Sequence, residues 1–196
     1  KPSTNDYSAD LKSKTKSDIE VTSIYFQDQI DVSDNLKLMI GGRHDTFDIT
    51  VTDIKNSSVQ SREDKEFSPR AGVVYKPKEN ISYYYSYSES FLPRSGEQFK
   101  SLSASSAALD PDVFESSEIG VKVALSDSLS LTAAYFDSEQ TRAARDSETG
   151  ETNEIVGLQV DGMELELKGS VSEKMDIVFG LTKMSGKTAK GGEPRE

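Results

Sequence analysis

The sequence has no cysteine and no tryptophan, and it has a single histidine. The missing cysteines exclude disulfide frameworks and thiolate metal sites, and leave the compartment open. Nowhere is there a run of roughly 18 apolar residues, so a helical membrane protein is excluded. No basic and apolar leader opens the chain, as expected of a mature chain or a fragment. Positive charge is scarce as well: 23 Lys and Arg stand against 34 Asp and Glu, a net charge of -11. General nucleic-acid binding is excluded with it, because neutralising phosphates takes clustered basic residues. Motifs for nucleophilic catalysis, phosphate loops and zinc spacings are also absent, and no catalytic residue or resident cofactor is expected.

What remains is polar but rich in strand formers. Only 34% of the 196 residues are hydrophobic and the mean hydropathy is -0.57, yet Val, Ile, Tyr, Phe and Thr are spread along most of the chain. A transmembrane barrel with a wet lumen reconciles the two, since each strand is apolar on one face only. The chain repeats one unit: two stretches of alternating apolar and polar residues, a tight polar turn between them, then a long hydrophilic loop. Turns centred near positions 34, 79, 127 and 173 give spacings of 45, 48 and 46 residues. Short turns on one side and long loops on the other are what a transmembrane barrel shows.

Period-two counting gives about eight strands. Residues 1–18 read as an extracellular-type loop, 19–184 as wall, and 185–196 as the start of a further loop. After Asp34-Asn35, the row Leu36, Leu38, Ile40, Gly42, His44 opposes Lys37, Met39, Gly41, Arg43, Asp45. The stretch from about Ile54 to Lys65 is polar throughout and reads as a loop. Tyr83, Tyr85 and Tyr87 share a face, with Tyr84 on the other, and suit a headgroup girdle. Phe91 to Val113, with its prolines and Ser/Ala tract, reads as non-strand, and a further loop falls around Arg145 to Asn153. Glu164, Glu166 and Lys168 share a row that reads as a solvated lumen face. His44 reads as a girdle or core residue in preference to a metal ligand.

Three other readings compete. A propeller blade of about 40–45 residues packs four short strands, whereas this repeat holds two long ones. A soluble β-sandwich, or a β-rich binding domain, would show shorter strands and more evenly spaced turns. A complete eight-stranded barrel with a structural role fits the strand count.

The stretches Phe67-Ser68-Pro69-Arg70-Ala71-Gly72-Val73-Val74-Tyr75 and Ile81-Ser82-Tyr83-Tyr84-Tyr85-Ser86-Tyr87 resemble the barrel of TonB-dependent siderophore receptors. So do Tyr25-Phe26-Gln27-Asp28-Gln29, Gly41-Gly42-Arg43-His44-Asp45, Glu118-Ile119-Gly120, Leu129 to Phe136 and Asp161-Gly162-Met163-Glu164, in the same order along the chain. His44 stands where that family usually has Tyr. The resemblance implies an all-β fold: an antiparallel up-and-down meander forming part of a roughly 22-stranded transmembrane β-barrel, whose plug domain is absent from this stretch. It implies a ferric siderophore as transported ligand, the TonB complex as a partner acting through the plug, contact with outer-membrane lipid, and location in a Gram-negative outer membrane. By position and chemistry the ligand-contacting residues expected are Tyr84, Phe91, Arg94, Gln98 and Phe99 near the fourth strand, and Arg142 and Arg145 at the top of the sixth. Aromatic rings would stack on catecholates and Arg would neutralise an anionic ferric complex. A stretch of wall alone is expected not to form a closed pore.

Overall fold

A computed structural model describes residues 14–93, 111–145 and 152–188, with side chains left undescribed at 142–145 and 152–156. Eight strands account for nearly all of it: β1 Thr15–Ser33, β2 Leu36–Asp53, β3 Ser58–Lys78, β4 Ile81–Leu92, β5 Asp112–Ala124, β6 Leu129–Arg145, β7 Thr152–Ser172 and β8 Met175–Thr188. They form one antiparallel sheet in the order of the sequence, β1 to β8. The expected all-β meander is what is found. Among the described residues the sheet does not close on itself, since β1 and β8 are its two edges.

Three of the four tight turns share a local device. The hydroxyls of Ser33, Ser126 and Ser172 accept hydrogen bonds from the backbone N–H two residues on, at Asn35, Ser128 and Lys174. A serine that satisfies a turn amide competes with the ladder, so the strand ends there. Backbone bonds then lock the turns to their neighbours, with the Lys76 N–H donating to the Asn35 carbonyl at 2.7 Å and the Ala124 N–H to that of Asn80 at 2.8 Å.

The register fixes which side chains share a face. On one face lie Ile24, Phe26 and Ile30 of β1, Leu38 and Ile40 of β2, Val73 and Tyr75 of β3, and Tyr83, Tyr85 and Tyr87 of β4, followed by Ile119, Leu131, Tyr135, Leu165, Phe179 and Leu181. Many of these are exposed, Ile24 by 73% and Ile119 by 58%. On the other face lie Gln27, Arg43, Asp45, Arg70, Tyr84, Glu118, Thr132, Glu164 and Glu166. A row of exposed aliphatic and aromatic side chains opposite a polar row is the profile of a wall between lipid and a wet lumen. The apolar rows are therefore called outward below, and the polar rows inward.

Four sequence boundaries need correction. β1 begins at Thr15 and β8 runs to Thr188, so residues 15–18 and 185–188 are paired strand. Phe91 pairs with Val113 and Leu92 with Asp112, so both ends of the expected non-strand segment are ladder. The largest difference is the segment from Ile54 to Lys65. Its polar composition reads as a loop, but β3 begins at Ser58 and pairs with β2 without a break, from Asp53↔Ser58 to Thr46↔Lys65. A ladder needs backbone partners and tolerates polar side chains on both faces wherever both are wet, so composition misreads a hairpin outside the membrane. The strict alternation of short and long connections also fails here, because only residues 54–57 join β2 to β3.

β7 carries one strained position. Gly169 has φ +139°, and a Cβ there would lie 1.9 Å from the Ser128 carbonyl oxygen, which already accepts the Ser170 N–H at 2.9 Å. No L side chain fits this conformation or this space. Gly169→Val in the full-length protein is expected to cost at least about 1–3 kcal/mol from backbone strain alone. The expected result is a clear fall in the fraction migrating as heat-modifiable folded barrel on a semi-native gel, and an unchanged fraction contradicts the assignment.

Candidate functional site

The inward face divides into two zones. Near the turns, the Tyr84 hydroxyl donates to Glu118 Oε1 at 2.6 Å, and Tyr84 lies directly across from Gly120. A Cβ on Gly120 would come within 2.5 Å of the Tyr84 ring. Glycine there lets the phenol lie flat across β5 and reach Glu118. Beside it, a groove of about 240 Å³ is lined by Gln29, Lys37, Met39, Gly72, Val74 and Tyr84. Glu164 of β7 lies on the same inward ladder row as Tyr84, reached through Gly120 and Ala134.

The second zone lies farther from the turns, where β2 and β3 continue together. Arg43 Nε binds both carboxylate oxygens of Asp45, at 2.8 and 2.9 Å. Its Nη2 donates to Ser23 Oγ at 2.8 Å, and the Ser23 hydroxyl in turn donates to Asp45. Arg62 makes an equivalent bond to Asp64. Asp45 and Asp64 are buried, as are the apolar neighbours Ile49 and Val51. Phe47 meets Phe91 edge to face, ring centroids 5.4 Å apart. A second groove, of about 190 Å³, is lined on its inward side by Ser88, Ser90, Phe114, Ser116, Ser138 and Gln140.

The residues singled out from the sequence are placed as follows. Tyr84 faces inward, but at the turn end of β4. It is seven positions from Phe91, or roughly 23 Å along a strand, so the two do not form one constellation. Simple alternation puts Phe91 on the outward row with Tyr85 and Tyr87, yet its ring touches Phe47 of the inward row. The β3–β4 ladder reaches only to Arg70↔Ser88, and beyond that pair β4 is free to twist away from β3. Arg142 and Arg145 lie in β6 with backbone partners Ile155 and Thr152, and their side chains are not described. Arg94, Gln98 and Phe99 fall outside the described residues. His44 stands on the outward row, across from Ile24 and Phe67. Among the described residues no group of His, Asp and Glu is gathered to hold a metal.

Sequence reading missed Phe47, Ile49, Val51, Arg62 and Asp64. The signal was present in the period-two run Phe47-x-Ile49-x-Val51, which continues the inward row of Arg43 and Asp45 past the point where the outward row becomes polar. What the arrangement offers is a polar conduit face, with buried ion pairs and an aromatic contact on the inward side of a long hairpin.

The profile of the family "TonB dependent receptor-like, beta-barrel" matches residues 1–193. The chain is 30% identical over 185 residues to a probable TonB-dependent siderophore receptor, PiuA, of Acinetobacter baumannii, covering 89% of this chain and 25% of that protein. It is 28% identical over 169 residues to the ferrichrome outer membrane transporter/phage receptor of Escherichia coli, covering 82% and 21%. The crystal structure of the siderophore receptor PiuA superposes with a TM-score of 0.78 at 28% identity, over 93% of this chain and 27% of that one. The chain thus spans about a quarter of the length of the curated relatives it matches.

Proposed function

The chain belongs to the TonB-dependent receptor β-barrel family, and from that premise we propose that it is a section of the wall of an outer-membrane transporter for ferric siderophores, energised through TonB. The observation that carries this reading is the split of all eight strands, on the side of their tight turns, into an outward apolar face and an inward polar one. A soluble sandwich would bury its apolar rows, whereas these rows are exposed. An eight-stranded barrel complete in itself would pair β1 with β8, which are edges here.

In this reading the wall performs no covalent step. Its outward rows hold it in lipid, and its inward rows shape the passage and meet whatever fills it. Glu118, Glu164 and Glu166 present carboxylates toward a plug, which favours cationic or hydrogen-bond-donating groups on the plug surface. The long β2–β3 hairpin, with its buried ion pairs, forms part of the extracellular mouth, where a ferric complex arrives. Phe91 remains the best-placed of the expected contact residues, because it lies beside the inward row at that end.

The test is uptake by the full-length protein in a Gram-negative host stripped of its own siderophore receptors. Radiolabelled iron supplied as ferric catecholate, hydroxamate and mixed-ligand siderophores is expected to accumulate for at least one class, and only when TonB is present. Accumulation that is independent of TonB, or absent for every class with the receptor in the outer membrane, contradicts the proposal.

A further inference from the structure

Asp28 is misplaced for a residue that faces lipid. It sits on the outward row of β1, between Phe26 and Ile30, and its partner across the ladder is Ile40. Phe26, Ile30 and Ile40 are all exposed on the same face, by 58%, 39% and 46%. Among the charged side chains on the outward rows of the described strands it stands nearest its turn, turn residues aside, whereas Asp137 and Lys183 stand farther along theirs. Asp28 precedes the turn residue Asp34 by six positions. With a rise of about 3.3 Å per residue and a tilt of about 40°, that is roughly 15 Å above the turn, well inside a hydrocarbon layer of about 25–30 Å.

A carboxyl at that depth is costly unless it is paired, and in membrane proteins such groups have partners. β2 supplies none, since the outward neighbours there are Leu38, Ile40 and Gly42. β1 has a second side. The sheet order begins at β1, leaving one of its edges without a ladder partner among the described residues, and an open edge in lipid leaves backbone groups unsatisfied at several kcal/mol each. The relatives it matches are about four times its length, and in the barrel reading above a further strand lies along that edge. A neighbouring strand brings its outward side chains to about 4.5–5.5 Å from Asp28, Cβ to Cβ.

We infer that Asp28 is an interstrand latch: its carboxylate accepts a hydrogen bond, within the membrane, from an outward-facing donor side chain on the barrel strand that pairs with the free edge of β1. The inference rests on the barrel reading above. The donor is a Lys or Arg, or a neutral hydroxyl or amide, and either satisfies the same acceptor.

The experiment compares Asp28→Ala, Asp28→Leu and Asp28→Asn in the full-length receptor, refolded into phosphocholine vesicles and titrated with urea. If Asp28 faced lipid alone, Ala and Leu would remove a charge from hydrocarbon and raise the midpoint. The latch predicts the opposite sign: at the wild-type midpoint both variants show about tenfold less folded protein relative to unfolded, the scale of one lost hydrogen bond to a charged group. Agreement between Ala and Leu removes side-chain size as the cause. Asn distinguishes the donors, matching Ala where the partner is cationic and left without its counter-charge, and approaching wild type where the partner is a neutral donor. An unchanged or raised midpoint for either Ala or Leu overturns the latch. Failure of the barrel reading would show separately, as a wild-type protein that does not insert into the vesicles.

Discussion

Arg62→Ala in the full-length receptor opens the end of the β2–β3 hairpin at a cost of about 3–5 kcal/mol. The Asp64 side chain is 2% exposed and that of Arg62 11%, so removing the guanidinium leaves a carboxylate with neither counter-charge nor water. The second oxygen of Asp64 already lacks a hydrogen-bond partner among the described residues, and none of them stands ready to replace Arg62. The cost is local, because residues 58–69 of β3 pair with β2 and not with β4, so this arm can fray while β2 stays paired with β1. Hydrogen exchange should quicken at the amides of residues 58–66 while those of β6 and β7 stay protected. Asp64→Asn added to Arg62→Ala should restore most of the protection, since it removes the stranded charge. Unchanged exchange in the single variant would show that the pair is not buried in the assembled receptor.

The second large effect separates the two faces. Ile119 lies on the outward row between Tyr85 and Tyr135, about six residues above its turn and hence near mid-membrane. Ile119→Arg is expected to destabilise the folded barrel by about 2–4 kcal/mol, the cost of an arginine on the lipid face at that depth. Thr132→Arg, on the inward row between Lys122 and Glu166, should cost far less, because its guanidinium meets water and a nearby carboxylate. Urea midpoints in vesicles measure both. Equal losses would mean that the two faces see the same solvent.

Much of this architecture is legible in the residues wherever one face meets lipid. Leu36 to His44 and Leu129 to Tyr135 alternate because a single-residue slip would turn the whole apolar set into the lumen, and the serine turns mark the ends. Legibility fails where the selection relaxes. From Ile54 to Lys65 the residues are polar on both faces, so alternation no longer signals a strand, and the backbone ladder that holds it leaves no trace in composition. Phe91 escapes the parity rule for a related reason: parity depends on both neighbouring ladders, and one of them ends at Ser88. The acceptor role of Tyr84's partner Glu118, and the glycine beneath the ring, are visible only once the register places residues 84 and 120 side by side.

The chain's lack of cysteine makes the central claim directly measurable, because every cysteine introduced into this stretch is a defined reporter. Nitroxide labels placed one at a time from Leu129 to Tyr135 of the full-length receptor in vesicles report collision with oxygen, which concentrates in lipid, and with a water-soluble nickel chelate. A wall between lipid and lumen predicts oxygen maxima at 129, 131, 133 and 135 and minima at 130, 132 and 134. Oxygen accessibility without that period of two, or chelate accessibility as high at 131 and 133 as at 132, would contradict it.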